Sequence, residues 1–341
     1  MWRQFSDFEL GAAASWLLHH WSNQLGGTFL APGSTLSFAA LACTLAAALI
    51  ATAPARRKVG IRILFRSLFP DWLIKSPSGK VDIAYFLFST LLSGMAFGWA
   101  LLSADGIGRS VAELLGRLHG SFNIAPAPSA ATTIALTLGG FLVYEFAYWL
   151  DHYLSHRIAI LWRFHAVHHS AERLSLLTNF RVHPVDTIIF YNIVALCLGT
   201  FFGVAEWLCG PAPRPFSIGG TNVLIMVSAV FVTHLQHSHL WVTFGRLGGG
   251  HILGPAHHQI HHSADAAHFD KNFGSTLALW DRIFGTFCMP PAQRPKLRFG
   301  VDRPGFDPHS FCGTLIDPML AIRPPRPLAF SESADARAEQ L

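Results

Sequence analysis

Five runs of apolar residues interrupt an otherwise mixed pattern of polar and hydrophobic positions. They are residues 36–53 (LSFAALACTLAAALIATA), Asp82–Ser103, residues 131–150 (ATTIALTLGGFLVYEFAYWL), Thr187 to about Cys209, and Thr221 to about Thr233. As a helix the first would reach roughly 27 Å, just enough for a hydrocarbon core, so it spans or sits shallowly. The second and third are longer and read as spans. Their few interior polar groups are Ser and Thr, which a helix satisfies on its own backbone, plus Glu145. Between the fourth and fifth runs, GPAPRPFSIGG is a Pro/Gly turn that makes those two a helical hairpin. The pattern predicts an all-α, polytopic membrane helical bundle of four to five spans.

The polar positions carry a second pattern. Fifteen of the 19 histidines fall between His152 and His268. In LDHYLSH, His152 and His156 stand at i and i+4. In HAVHH and HQIHH, His165/His168/His169 and His258/His261/His262 stand at i, i+3 and i+4, so each set lies on one side of a helix and aims at one point. Neutral imidazole is the usual ligand of Zn, Fe, Cu and Ni, and several such faces converging could fill the coordination spheres of two metal ions. His258 is selected over its neighbour His257, because adjacent helical side chains point about 100° apart and position 258 stands three and four residues before His261 and His262. Isolated His19, His20, His119 and His309 read as surface or satisfied core groups. The aromatic residues of YEFAYWLDHYL read as lipid-facing or packing groups rather than a substrate box.

Composition fits the membrane reading. With 51% hydrophobic and 13% charged residues, the 341-residue chain does not resemble the two soluble domains its length alone would allow. Its 28 Phe and 10 Trp suit a lipid-facing surface and its borders. Cys43, Cys197, Cys209, Cys288 and Cys312 show no CxxC spacing, which gives neither a disulfide framework nor a thiolate metal site. Asp7, Glu9, His19 and His20 stand where a cleavable signal peptide would need a basic start and an apolar core. Charge orients the bundle. Arg56, Arg57, Lys58, Arg62, Arg66, Lys75 and Lys80 face the single acid Asp71 in the 54–80 loop, the excess expected on the cytoplasmic side, where it also suits anionic lipid. Counting crossings from there puts the 104–130 loop outside and both histidine clusters inside. The expectation is an integral protein of the cell inner membrane with a cytoplasmic histidine-rich helical metal-binding cap and no nucleic-acid partner.

The three motifs HxxxH, HxxHH and HxxHH, read here as HYLSH, HAVHH and HQIHH, resemble the membrane fatty acid hydroxylase and sterol desaturase superfamily over roughly residues 130–290. Flanking text is similar too: NFRVHPVD, LQHSHL, GPAHHQIHHS and DKNFGSTLALWDRIFGTF. The resemblance implies a non-haem centre of two iron ions that activates O2 and hydroxylates or desaturates a lipid, sterol-like, fatty acyl, ether or amino-acid-headed. It carries the ligand role to His152, His156, His165, His168, His169, His258, His261 and His262, and to His237 in LQHSHL. His183 and His234 are secondary candidates, as ligands or as groups that orient them. His239, His251, His257 and His268 have no counterpart.

The chain contains no haem motif, iron–sulfur spacing or GxGxxG element, so electrons would come from a ferredoxin- or cytochrome-type donor with its reductase. The lipid is expected to descend between the spans to reach the site. The main rival is a membrane zinc hydrolase of ceramidase-like type cutting a lipid amide, but such a site needs about three protein ligands and a water. Metal transport would place ligands within the spans. Three regions are expected: an N-terminal membrane part (1–130), the catalytic domain (131–290) and a cytoplasmic extension (291–341) with a disordered tip.

Overall fold

The computed structural model describes residues 2–31, 33–52, 61–120, 129–210, 214–302 and 304–320. Arg56, Arg57, Lys58 and residues 321–341, which include the expected disordered tip, lie outside them. The chain is helical from the start: α1 (Trp2–Leu30), α2 (Phe38–Thr52), α3 (Ile61–Leu68) and α4 (Trp72–Lys75) precede α5 (Pro77–Phe88). The 54–80 segment, read as a loop, thus contains two short helices. Ser76 opens α5 by accepting from the Gly79 amide at 3.0 Å, with Pro77 in the first turn.

After α5 the chain passes through a π turn (Ser89–Ser93), α6 (Gly94–Phe97), a 3-10 turn and an extended break before α7 (Ala104–His119). Here the structure corrects the sequence reading, which placed an outer loop at 104–130. Helix α7 instead continues the crossing and runs alongside α10 (Pro184–Cys209), which follows α8 (Ala130–Arg157) and α9 (Ala159–His169). Leu102 donates its amide to Asn192 Oδ1 at 2.8 Å and Trp207 Nε1 donates to Gly120 O at 2.9 Å, so the two helices run parallel. Small residues let them touch: a Cβ on Gly199 would sit 2.7 Å from Ala104 O, and one on Gly203 would collide with the Gly108 backbone. The charged residues of α7 hid it from a hydropathy reading.

Among the described residues, three helical segments are long and apolar enough to cross a membrane: Pro77–His119, α8 and α10. The first and fifth apolar runs form shorter helices, α2 and α11 (Val223–Phe231). The hairpin is real but shallow. Its Pro/Gly turn folds back through a two-stranded ribbon, β1 (Ser217–Ile218) and β2 (Thr221–Asn222), and is pinned to Thr137 in the second turn of α8. Thr137 Oγ1 accepts from the Phe216 amide at 2.8 Å, and Asn222 Nδ2 donates to Thr137 O at 2.9 Å. Starting that far into the bundle, nine residues of α11, about 13 Å, and the 3-10 turn Thr233–Leu235 suffice to bring the chain down to His237.

Beyond lie the short α12 (Gly245–Gly248), α13 (Pro255–His261), α14 (Leu279–Ile283) and α15 (Phe311–Leu320). They fold over one end of the bundle together with α9. Val81 and Tyr85 of α5 pack with Ala166 and Val167 of α9 and with Phe306, fastening the C-terminal extension to the same end.

Candidate metal centre

Ile158, in extended conformation, ends α8 and starts α9, turning the chain so that His152 and His156 meet His165, His168 and His169. Helix α13 brings His258, His261 and His262 to the same place, and the descent of α11 delivers His237. The nine histidines form two adjoining groups, with ligand nitrogens within 4.8 Å of one another in each: His152/His156/His165/His169/His261, and His168/His237/His258/His262. All are buried except the half-buried His156.

Each HxxHH motif feeds both groups. Positions i and i+4 (His165 and His169; His258 and His262) go to one group, and position i+3 (His168; His261) to the other. The sequence reading aimed each triplet at a single point. Helix geometry explains the difference, because i+3 and i+4 diverge by about 100° and can each serve a different neighbour.

Fixed acceptors hold the rings. Nδ1 of His152 faces Phe273 O at 2.9 Å, that of His165 faces Asp186 Oδ2 at 3.0 Å, and that of His261 faces Lys271 O at 2.8 Å. In the second group, Nδ1 of His168 faces Arg181 O at 3.2 Å and that of His237 faces Asn179 Oδ1 at 2.8 Å. The orientation of Asn179 is settled, since its Nδ2 donates to Leu176 O at 3.0 Å. These bonds require Nδ1–H, which leaves a lone pair on each Nε2. Yet His168 Nε2 and His237 Nε2 lie 2.8 Å apart, His237 Nε2 also lies 2.8 Å from His258 Nε2, and Nε2 of His152 and of His165 is buried with no partner. Two lone pairs at that separation repel. A cation between them turns the repulsion into shared coordination, so the donor set fits metal ions. Burial, reinforced by neighbouring imidazoles, holds His168, His169, His258 and His262 well below the usual histidine range and brings His237 and His261 down to about 3. These six rings are therefore neutral near pH 7 and available as ligands.

The secondary candidates stand apart. His183 caps α10 by accepting from the Val185 amide at 3.1 Å and donates from Nε2 to Leu315 O at 2.9 Å, so both nitrogens are occupied. The Nδ1 of His234 is bonded to Ala229 O at 3.1 Å. Neither belongs to a group. His257 accepts from the Gly254 amide at 3.1 Å, capping α13, as expected of a residue on the wrong side for coordination. His268 pairs with Ser263 Oγ at 3.0 Å.

The supporting residues had gone unassigned although they stand in the flanking text. NFRVHPVD contains Asn179, Arg181 and Asp186. Arg181 is fully buried, bonding Ser78, Asp82, Val167 O, Ser170 and Pro308 O, and so ties α5, the end of α9 and the extension around His168. DKNFG supplies the carbonyls of Lys271 and Phe273. Asn272 there adopts φ 56°, a left-handed conformation that Asn tolerates, and a Cβ on Gly274 would meet Leu277 O at 2.8 Å. Asp281 of WDRIFGT accepts the amides of Phe273 (2.9 Å) and Gly274 (2.8 Å). Glu145, inside α8, accepts those of Thr276 (2.9 Å) and Leu277 (2.7 Å). Burial of a carboxylate in a span is the signal that could have marked Glu145 as an anchor.

Residues 137–286 match the fatty acid hydroxylase family model. This part of the chain is similar to a fatty acid hydroxylase domain. Ornithine lipid hydroxylase OlsE of Rhizobium tropici is 34% identical over 154 residues, 45% of this chain and 41% of that protein. Alkylglycerol monooxygenase of Homo sapiens is 25% identical over 256 residues, 72% of this chain and 49% of that protein. Cholesterol 25-hydroxylase of Mus musculus is 26% identical over 167 residues, 48% of this chain and 51% of that protein. The chain thus spans about half the length, or less, of the curated relatives it matches. No solved structure matches it. The family uses non-haem iron, and all nine histidines of the two groups lie within the matched segment.

Proposed function

We propose that this protein is an O2-dependent lipid hydroxylase of the membrane, with one non-haem iron in each histidine group. The observation that carries the reading is the division of nine imidazoles into two adjoining, internally supported groups. His152, His156, His165, His169 and His261 would hold one ion, and His168, His237, His258 and His262 the other. When bound, iron supplies the activation of O2 that an unactivated C–H bond requires. The chain's own residues do the rest. Asp186 and the carbonyls of Lys271, Phe273 and Arg181 fix the rings in the tautomer that presents Nε2. Burial holds His168 and His261 below the usual histidine range, which favours the unprotonated ring.

Relatives named as hydroxylases and a monooxygenase favour hydroxylation over desaturation. A ceramidase-like zinc site is overfilled by five and four imidazoles. Electrons come from a ferredoxin- or cytochrome-type donor with its reductase. The basic residues of the 54–80 segment support a cytoplasmic position for the histidine end in a cell inner membrane, and the boundaries near 130 and 290 stand as our division of the chain. The test is turnover of membrane lipids by iron-loaded protein with an external reductase system under isotopically labelled dioxygen. One labelled oxygen atom in a lipid product is expected. Amide cleavage that proceeds without dioxygen would overturn the reading.

A further inference from the structure

A cavity of about 280 Å³ opens onto the five-histidine group, with His156, His169 and His261 in its wall. Its other walls come from the last residue of α8 (Arg157), from Trp162, and from segments 262–264, 269–270 and 300–301. No lining residue comes from α10, from α11 or from α8 before its last turn. The cavity therefore reaches the imidazoles from the side turned away from the spans, not by the descent between spans that the sequence suggested.

Two opposite charges stand together at this cavity. Arg157 Nη1 lies 3.3 Å from Asp270 Oδ2, both side chains are partly exposed, and Asp270 is held in a left-handed turn at φ 58°. Trp162, Phe269 and Val301 supply the apolar wall. Ile158 and Ile160 lie between Arg157 and Trp162 in sequence and are 41% and 51% exposed, an apolar ramp at the end of the spans where lipid tails would leave the cavity for the bilayer.

We infer that the cavity seats the zwitterionic headgroup of an aminolipid, its anionic group on Arg157 and its cationic group on Asp270, so that the carbon presented to the histidines lies within a few bonds of the headgroup. The inference rests on the lipid-hydroxylase reading. A paired cation and anion at one mouth complement a ligand carrying both charges. A neutral lipid would leave the pair unused, and a purely anionic one would meet Asp270. The half-exposed pair screens itself when the cavity is free of lipid, and exchange of partners on binding leaves no charge bare.

The experiment uses the iron-loaded full chain in nanodiscs and has two arms. In the first, without oxygen or reductant, binding of a short-chain zwitterionic aminolipid is compared with that of a monoalkylglycerol. An advantage of about tenfold in Kd for the aminolipid, lost in Arg157→Gln and in Asp270→Asn at unchanged iron content, is the expected result. Equal binding of the two lipids, or an advantage that survives both substitutions, overturns the inference. In the second arm, turnover products are fragmented to locate the oxygen. Oxygen in the headgroup or the atoms next to it supports the inference, and oxygen far along a tail overturns it. Selective aminolipid binding without any oxygenation would sustain the headgroup site and sink the hydroxylase reading.

Discussion

The two histidine groups draw on the same motifs and yet differ in access. His168, His237, His258 and His262 are all buried, and only His262 reaches the cavity. In the five-histidine group, three of the rings line the cavity, and His165 is backed by a carboxylate, Asp186. One HxxHH repeat cannot by itself create that asymmetry, since each sends two rings one way and one the other. It is made by what surrounds the rings: a reentrant carbonyl segment and a charged pair beside one group, Asn179 and the Arg181 clasp beside the other. The difference teaches that the motifs supply most of the rings while the surrounding segments decide which group opens onto the cavity.

The largest effect that could break this comparison comes from removing a ligand. His258→Ala should release metal from the less accessible group and abolish oxygenation. The adjacent His257→Ala should keep bound metal and most of the activity, compared at equal amounts of folded protein. The opposite pair of results would show that the α13 register has been misassigned. Next comes the support beneath the accessible group. Asp186→Asn should cost roughly 10–100-fold in metal affinity or activity. Asn179→Ala should cost less, because a charge-assisted hydrogen bond is the stronger kind. Chelator competition on each variant orders the two, and equal losses would erase the proposed asymmetry.

A smaller effect is expected from Glu145→Gln, which keeps the shape but weakens the acceptor for Thr276 and Leu277. About 1–3 kcal/mol of local stability should be lost, seen as faster hydrogen exchange in residues 273–278 while both groups retain metal. Unchanged exchange would show that Glu145 does not anchor that segment. The smallest concerns a histidine outside both groups. Burial lowers His234 to about 4, so the folded chain refuses a proton that the unfolded chain accepts from about pH 6.5 downward. Its contribution is complete above that pH and fades as pH falls towards 4. Thermal melts of metal-free protein should therefore decline across this window, and His234→Gln should make the decline shallower. An identical slope in the variant would contradict this.

Much of the site was legible because imidazole spacing is a local property. Helical spacing named eight of the nine histidines that come together and favoured His258 over His257, while His237 came from the resemblance alone. The division between two groups was not legible, since it depends on which helix faces each side of α9 and α13. Nor were Lys271 O and Phe273 O, because a carbonyl leaves no trace in residue identity. In the fold, the long apolar runs of α8 and α10 were plain from the sequence. Helix α7 was hidden by its Asp, Glu and Arg residues, which stay exposed while its small residues meet the glycines of α10, contacts formed only in three dimensions.

The central claim is that two adjoining metal positions are each served by both HxxHH motifs. Counting iron in folded wild-type protein, His152→Ala and His168→Ala, after iron-supplemented expression, tests it most directly. The account predicts two irons per wild-type chain and one in each variant, with the retained ion in the group left intact. A single zinc without iron in the wild-type chain, or two irons retained in either variant, would contradict it.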